Sequence, residues 1–406
     1  GNNIASQNTQ TYGFETSMTF PTTAGSAHSC FMFDNGSVKC WGENSFGQLG
    51  LGDTINRGDN SSDMGDNLTA INLGTGRTAT AIAAGSNHTC AILDNSSIKC
   101  WGFNASGQLG LGDNRTRGVG SGEMGDDLNS VDLGSGRTAK AIAAGNSHTC
   151  AILDNSSVKC WGFNASGQLG LGHTDNRGDG SNQMGDNLTA IDLGNERTAK
   201  AIEAGGNHTC AILDDASLKC WGSNASGQLG LGNKNNSANP SAVNMGSGIT
   251  AKAIVAGESH TCAILNNSAI KCWGEGEDGR LGTGKSRDEE SPPNLSNDLG
   301  NGRTAMGITA GDAHTCAILD NSSIKCWGGN ASGQLGLGDT TNRESVSQLG
   351  DSLPVVDLGA GRTARGITAG DNQTCAILDN SSIKCWGGNA SGQLGLGDTD
   401  NRGDNS

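Results

Sequence analysis

The chain has 406 residues, of which 34% are hydrophobic and 66 are glycine, and its formal net charge is −15. This acidic balance argues against a nucleic-acid partner, because the phosphates of a nucleic acid demand a basic surface. The sequence contains no apolar run of about 18 residues, so it predicts no membrane span.

The first 24 residues precede the repeated part of the chain. They begin Gly1-Asn2-Asn3, with neither Met nor the apolar segment of a signal peptide, so we interpret the chain as processed or as a fragment. We expect two parts: residues 1–24 form an N-terminal leader, and residues 25–406 form one repeat domain. Because the last unit stops inside a loop that continues in the others, the leader is expected to supply the missing strand and close the array. A chain cut from a longer array is the alternative.

The block G-x-x-H-T-C-A-I-L-D-N-S-S-x-K-C-W-G recurs seven times, at intervals of 52 to 60 residues. Every copy carries two cysteines ten positions apart and one tryptophan after the second cysteine. Units this short do not bury a core alone, so they must pack on one another.

The second unit shows the predicted elements in chain order. A strand is expected over Arg77 to Ala84, followed by a strand over His88 to Leu93. Asp94 to Ser97 form a turn, and Ile98 to Trp101 form the next strand. A short fourth strand is expected over Gly107 to Gly112.

An antiparallel register of this hairpin places Cys90 opposite Cys100 on one apolar face. Leu93 and Trp101 share the other face, which is also apolar, so the hairpin is sandwiched between neighbours. These features predict an all-β fold, a seven-bladed β-propeller of four-stranded blades with one disulfide-stapled hairpin per blade. A straight stack is the alternative, but it would need polar caps that the sequence does not show.

One motif carries a family resemblance. W-G-x-N-x-x-G-Q-L-G-L-G stands at Trp101 to Gly112, A-G-x-x-H-T follows at Ala144 to Thr149, and both recur in almost every unit. This pattern resembles the regulator of chromosome condensation repeat family over about residues 24–400. The resemblance implies a seven-bladed propeller that presents surfaces, and it transfers no catalytic residue. The chain departs from the family's nuclear nucleotide exchange factors in its paired cysteines and in acidic loops such as Asp53 to Asp66.

The cysteines form a regular framework. An even number at one fixed spacing predicts disulfides in an oxidising compartment. A metal site is the alternative, since His88 shares a face with Cys90 and Cys100, but the seventh unit keeps both cysteines and has Gln373 in place of His. We therefore expect no metal site, no cofactor and seven disulfides: Cys30–Cys40, Cys90–Cys100, Cys150–Cys160, Cys210–Cys220, Cys262–Cys272, Cys316–Cys326 and Cys375–Cys385.

Two other side chains recur. A histidine stands at one position in six units, and symmetric copies fit a structural imidazole bonded to neighbouring backbone better than a catalytic base. A lysine stands at one position in all seven. It either builds an anion-binding ring or covers Trp and Leu while its ammonium reaches water or a turn aspartate such as Asp94, and we favour the second interpretation.

N-x-S/T sequons number 20 in this sequence. Asparagine in turns has its own backbone reason, but exposed sequons in secreted eukaryotic proteins are usually modified. We expect N-glycans at six asparagines in or next to the hairpin turn, Asn35, Asn95, Asn155, Asn266, Asn321 and Asn380. Five asparagines in N-A-S-G are further candidates, Asn104, Asn164, Asn224, Asn330 and Asn389.

Three loops spell Arg-Gly-Asp, at Arg57, Arg177 and Arg402, and the loop after Asp398 resembles part of a calcium loop without its terminal Glu. An adhesion motif and a calcium site therefore stay open as minor alternatives.

The sequence shows no nucleophile motif, no phosphate loop and no paired buried carboxylates, so we expect a protein that is not an enzyme. Near-identical units favour a secreted, glycosylated structural or assembly module of an extracellular matrix, surface appendage or filament. Its expected partners are proteins, including copies of itself. A soluble protein-binding propeller of the inhibitor or adhesion type is the alternative, with its site in the divergent fourth and fifth units. A nucleotide exchange factor is a third and more remote interpretation. Both the paired cysteines and the acidic net charge argue against it.

Overall fold

The computed structural model describes residues 22–404, and it is an all-β ring of seven blades around a central channel, as the repeat predicts. Every blade has three antiparallel strands, which we name inner, middle and outer, and the fourth blade has one more. The blades are β1–β3 (Thr22–Ala24, His28–Met32, Val38–Gly42), β4–β6 (Ala79–Ala84, His88–Leu93, Ile98–Gly102), β7–β9 (Ala139–Ala144, His148–Leu153, Val158–Gly162), β10–β13 (Ala199–Ala204, His208–Leu213, Leu218–Gly222, Ser237–Ala242), β14–β16 (Ala251–Ala256, His260–Leu265, Ile270–Gly274), β17–β19 (Ala305–Ala310, His314–Leu319, Ile324–Gly328) and β20–β22 (Ala364–Ala369, Gln373–Leu378, Ile383–Gly387).

The remaining regular structure lies in the connections between blades. Short 3-10 turns occur there at Gly65–Asn67, Gly125–Asp127, Gly185–Asn187, Glu277–Gly279, Val346–Gln348 and Gly350–Ser352. Within residues 22–404 no helix has the length and apolar character needed to cross a membrane.

The predicted hairpin register is confirmed. Cys90 lies opposite Cys100 and Ile92 lies opposite Ile98, and the same pairing recurs in the other blades. The inner strand starts later than predicted, at Ala79, because the amide of Arg77 closes a turn onto the carbonyl of Gly74.

The fourth strand predicted over Gly107 to Gly112 is wrong. Residues 107–112 form tight turns in which Gly107 bonds to Asn104 and Gly110 bonds back to Gly107. Both glycines have positive φ, and a Cβ at Gly110 would lie 2.7 Å from Trp161 Nε1, so this segment does not extend. The outer strand pairs instead through a single bridge such as Gly102 to Arg117, and only the fourth blade, among the described residues, has a full fourth strand, β13.

The apolar core lies between blades rather than inside them. We call the connection that leads from one blade into the inner strand of the next a covering segment, residues 64–78 in the first junction. It inserts Ile71 and Leu73 between Cys40 of the first blade and Leu93 and Trp101 of the second. Equivalent clusters fill the other five junctions between consecutive blades.

The ring closes at the seam, which we define as the junction between blade seven and blade one. Trp41 Nε1 donates to the carbonyl of Gln393 at 2.9 Å, and Gln373 Nε2 donates to the carbonyl of Gly25 at 3.1 Å. The described end of the leader, Thr22–Ala24, pairs with the hairpin of its own blade. Residues 1–21 lie outside the described residues, so the closing strand expected from the leader stays a prediction.

The topology gives the ring two distinct faces. Each middle strand begins beside the channel mouth and ends at the opposite side, so the turns before and after it lie on opposite faces. The mouth face carries the turns around Gly85 and Ser86, which line one end of the channel. The turn face carries the hairpin turns, such as residues 94–97.

Candidate functional site

All seven predicted disulfides are present in the structure. Each joins the middle and outer strands of one blade, as between Cys90 and Cys100, where the Cα atoms are 4.1 Å apart. The other pairs have the same ten-residue separation, and the described chain has no free cysteine. The bridges are therefore local staples, and the blades are held to one another by other contacts.

A recurring polar node joins neighbouring blades. In the second junction the carbonyl of Gln108 accepts hydrogen bonds from Thr149 Oγ1 at 2.9 Å and from Trp161 Nε1 at 3.0 Å. His88 Nε2 lies 2.9 Å from the same Thr149 hydroxyl. The prediction that the histidine has a structural role is confirmed. Its hydrogen-bond partner, however, is a hydroxyl of the next blade and not the backbone.

The node fixes the histidine tautomer. Because the Thr149 hydroxyl gives its proton to Gln108, its oxygen must accept the proton of His88 Nε2. Nδ1 of His88 is then unprotonated, buried and without a partner, and the same holds at the other five histidines. Burial lowers the pKa of His88 to about 3 and that of His28 to about 4. The imidazoles therefore stay neutral and have no role in proton transfer near neutral pH.

Four of the seven recurring lysines form a second set of staples, the buried Lys99, Lys159, Lys271 and Lys325. Lys99 Nζ donates to the carbonyls of Leu73 at 3.1 Å and Gly125 at 2.6 Å, which belong to two successive covering segments. The expected contact with Asp94 is wrong, since Asp94 pairs with Arg77 at 2.9 Å. Since the ammonium of Lys99 is buried against carbonyls, burial lowers its pKa and the anion-site interpretation loses its exposed charge.

The turn-face asparagines meet the steric requirement for N-glycans. Asn35, Asn95, Asn155, Asn321 and Asn380 are all exposed at the tips of hairpin turns. In each, the side-chain oxygen accepts from the serine two residues later, as Asn95 does from Ser97 at 2.8 Å. Asn266 is also exposed but stands one position earlier in its turn, and its amide donates to the Gly248 carbonyl at 3.0 Å.

Glycosylation of the five N-A-S-G asparagines stays a prediction, and their burial argues against it. Asn104, Asn164, Asn224, Asn330 and Asn389 are fully buried. Asn104 shows the reason, because its Nδ2 donates to the Asp113 carbonyl at 2.9 Å and its Oδ1 accepts from the Leu109 amide at 2.9 Å. A glycan on that nitrogen would break the loop that the asparagine organises.

The Arg-Gly-Asp loops are folded inward. Arg57 pairs with Asp53 at 2.6 Å, and Gly58 is buried with its carbonyl bonded to the amide of Gly397. In the calcium-like loop, Asp398 is already bound to Arg402 at 2.6 Å. The described residues hold no group of three His, Cys, Asp or Glu arranged for a metal ion. Because of these contacts, the loops expose neither an adhesion motif nor a set of calcium ligands.

The mouth face has an acidic arc that the sequence analysis missed. Glu258, Asp312 and Asp371 occupy one repeated position in three consecutive blades and line the channel mouth. Asn146 Nδ2 donates to Glu258 at 2.7 Å, and Ser26 Oγ donates to Asp371. Burial and mutual repulsion raise the pKa of both Glu258 and Asp371. Alignment of the A-G-x turns would have found the arc.

Known protein families match the chain along most of its length. Seven segments match the Regulator of chromosome condensation (RCC1) repeat, at residues 22–48, 79–108, 139–168, 199–228, 251–280, 307–334 and 365–393, and a second RCC1 repeat description matches 218–264 and 272–318. The chain belongs to the RCC1 repeat family. Its propellers are usually protein-binding or regulatory.

Two relatives show how far the similarity extends. The ultraviolet-B receptor UVR8 of Arabidopsis thaliana is 29% identical over 94% of this chain and 79% of that protein. The probable E3 ubiquitin-protein ligase HERC4 of Homo sapiens is 30% identical, over 82% of this chain but only 35% of that protein. Because the match covers about a third of HERC4, the ligase activity in that name is not carried over.

Solved structures agree on the fold. Human WBSCR16 superposes with a TM-score of 0.70 at 17% identity, covering 88% of this chain and 86% of that one. Yeast RCC1 (Prp20), solved with Kap60 bound, gives a TM-score of 0.69 at 17% identity, covering 100% of this chain and 90% of that one. At this identity the similarity shows the propeller alone.

Proposed function

We propose that this RCC1 repeat protein is a secreted, non-enzymatic glycoprotein whose propeller is a structural or assembly module of an extracellular matrix, appendage or filament. The observation that carries the proposal is the display of five exposed sequon asparagines at equivalent hairpin turns. A disulfide in every blade supports an oxidising compartment, where such pairs persist.

The two faces suit two different tasks. Glycans on the hairpin turns would coat the turn face and keep it hydrated. The mouth face has none of these turns, although its loops hold further exposed sequons such as Asn235, and we assign the protein contacts to it. Its loops recur with nearly the same sequence in most blades, which favours repeated contacts with copies of the chain over recognition of one unique ligand.

Cross-linking of the native, glycosylated protein tests this proposal. Lys234 and Lys285 lie in mouth-face loops, whereas Lys140 and Lys252 stand near the turn face and serve as controls. An amine-reactive reagent is expected to link copies through the first pair and not through the second. Native protein that sediments as a monomer at high concentration and yields no link between copies would contradict the assembly role.

A soluble protein-binding propeller is the second candidate, favoured by the departure of blades four and five from the pattern. β13 adds a polar edge strand to blade four, and Leu295 is 82% exposed in the connection after blade five. Such a binder would form a one-to-one complex that Leu295→Asp weakens, while Val346→Asp on another exposed apolar residue does not. Binding unaffected by Leu295→Asp would remove this candidate surface.

A further inference from the structure

The sequence contains two asparagines that are followed directly by glycine, Asn35 before Gly36 and Asn301 before Gly302. In such a pair the glycine amide nitrogen can attack the side-chain carbonyl carbon of the asparagine, because glycine has no Cβ to shield that nitrogen. Both asparagines are exposed to solvent. Since the dipeptide is the same, a difference in reactivity between the two sites must come from the folded structure.

The pair at Asn35 is held in an unreactive arrangement by its hairpin turn. The amide of Gly36 donates to the carbonyl of Phe33 at 2.8 Å, so the attacking nitrogen is already bonded. The side-chain oxygen of Asn35 accepts from the amide of Ser37 at 3.0 Å and from its hydroxyl at 2.7 Å. A Cβ on Gly36 would lie 2.7 Å from Cβ of Thr78, so the glycine is also enclosed by the neighbouring segment.

The pair at Asn301 has none of these restraints. Among residues 22–404 the amide of Gly302 has no hydrogen-bond acceptor, and a Cβ on this glycine would meet nothing within 4 Å. The side chain of Asn301 is held through its nitrogen, since Nδ2 donates to Asp351 at 2.5 Å, and no described group donates to its oxygen. The attacking nitrogen is therefore unbonded within the described chain, and there is room beside it for a new ring.

Asn301 also makes a contact between two covering segments. It lies in the segment between blades five and six, whereas Asp351 lies in the segment between blades six and seven. The backbone amide of Asn301 donates to the same carboxylate at 2.9 Å. In the first two junctions, Thr75 and Ser135 donate in the same way, through amide and hydroxyl, to the aspartate of the next segment. The position therefore requires a side chain that donates a hydrogen bond.

We propose that Asn301 is a self-modification site, at which attack by the Gly302 amide converts the asparagine to aspartate or isoaspartate. The Gly302 nitrogen bonds to Cγ of Asn301, and Nδ2 leaves as ammonia together with the proton of the Gly302 amide. Water then opens the five-membered imide at either carbonyl. The new carboxylate has no proton to donate and repels Asp351, so the link between the two covering segments is lost. The modification needs neither glycosylation nor assembly and goes beyond the proposed function.

The rates at the two sites test the reaction. The full, disulfide-bonded chain, made without N-glycans so that Asn35 is unmodified, is incubated at pH 8 in 18O-labelled water, digested at low pH and mapped by mass spectrometry. Labelled aspartate or isoaspartate is expected to appear at position 301 at least tenfold faster than at position 35. In the reduced, urea-unfolded chain the two rates should agree within about threefold. Equal rates in the folded chain, or a tenfold difference that persists after unfolding, would overturn the proposal.

Hydrogen exchange tests the consequence of the modification. Asn301→Asp carries the product side chain, and Asn301→Ser is the matched control because it copies the donor at Ser135. The peptide covering residues 298–303 is expected to exchange at least fivefold faster in the aspartate variant and as in the parent chain in the serine variant. The equivalent peptide of the second junction, residues 132–137, should be unchanged in both. Equal exchange of the 298–303 peptide in the two variants would show that the carboxylate does not break the link to Asp351.

Discussion

The second junction and the seam show how one sequence pattern gives two different contacts. In the second junction, His88 bonds to Thr149, which bonds to the carbonyl of Gln108. At the seam, Gln373 replaces the histidine and Ser29 replaces the threonine, yet Ser29 Oγ still donates to Gln393 at 3.0 Å. The bond to the Gln393 carbonyl is kept at the seam, whereas Gln373 donates to the Gly25 carbonyl and not to the hydroxyl of the next blade. Within residues 22–404, no amide of a covering segment donates to the outer strand of blade seven, and this distinguishes the seam from the other junctions.

Acid is expected to have the largest effect, and it acts on the six histidine junctions and not on the seam. A buried histidine with a pKa of about 3 to 4 binds its proton less well in the folded chain than in the unfolded chain, where the value is 6.5. Stability is therefore complete above pH 6.5 and falls as the pH drops towards 4, by about 1.4 kcal/mol per pH unit for each histidine.

Urea unfolding at pH 7 and pH 5.5 measures this slope. His88→Gln, which copies the residue of the seventh unit, should reduce the loss of stability between these two pH values by about 1.3 kcal/mol, because the unfolded-state pKa of 6.5 lies within this interval. Gln373→His should increase it. Slopes that are equal in all three proteins would show that the imidazoles are not held neutral by burial.

Removal of a node hydroxyl comes next in size. Thr149→Val leaves the buried Gln108 carbonyl and the His88 ring with one partner fewer, so the free energy of unfolding should fall by about 2–3 kcal/mol. Thr149→Ser keeps the hydroxyl, as Ser29 does at the seam, and should cost less than about 1 kcal/mol. A valine variant as stable as the serine variant would contradict the bonding pattern.

Removal of a lysine ammonium should give a smaller difference in stability, here between Lys99 in a covered junction and Lys384 at the seam. Lys99→Met leaves two buried carbonyls without their donor and is expected to cost about 1–2 kcal/mol. Lys384 is exposed and, among the described residues, donates one hydrogen bond, to the Asp357 carbonyl at 3.0 Å, so Lys384→Met should cost about 0.5 kcal/mol or less. Equal losses at both positions, measured by urea unfolding, would mean that the seam lysine is as enclosed as the others.

The sequence was enough to predict the features that depend on the pairing of neighbouring strands. The spacing of Cys90 and Cys100 predicted both the hairpin register and the disulfide, since a short turn allows one antiparallel pairing. Contacts between units were harder to predict. The bond from His88 to Thr149 and the two carbonyls held by Lys99 depend on how blades are rotated against each other, which periodicity does not specify.

Two predictions made from glycine and asparagine patterns disagree with the structure, and each has a physical reason. Gly107 to Gly112 alternates like a strand, but positive φ values at its glycines make turns. Asn104 matches the sequon pattern, but its side-chain amide is hydrogen-bonded inside the loop. Its Nδ2 donates to the Asp113 carbonyl and its Oδ1 accepts from the Leu109 amide. An asparagine that organises a loop and one that displays a glycan share the same three-residue pattern, and only burial separates them.

The most direct test of the proposed extracellular glycoprotein is glycopeptide mapping of the native, non-reduced protein. After release of N-glycans by an amidase in 18O-labelled water, the turn asparagines Asn35, Asn95, Asn155, Asn321 and Asn380 are expected to be recovered as labelled aspartate. The five buried N-A-S-G asparagines should remain unmodified, and all cysteines should be paired within their blades. Unmodified asparagine at all five turns, or free thiols in the native protein, would contradict the account.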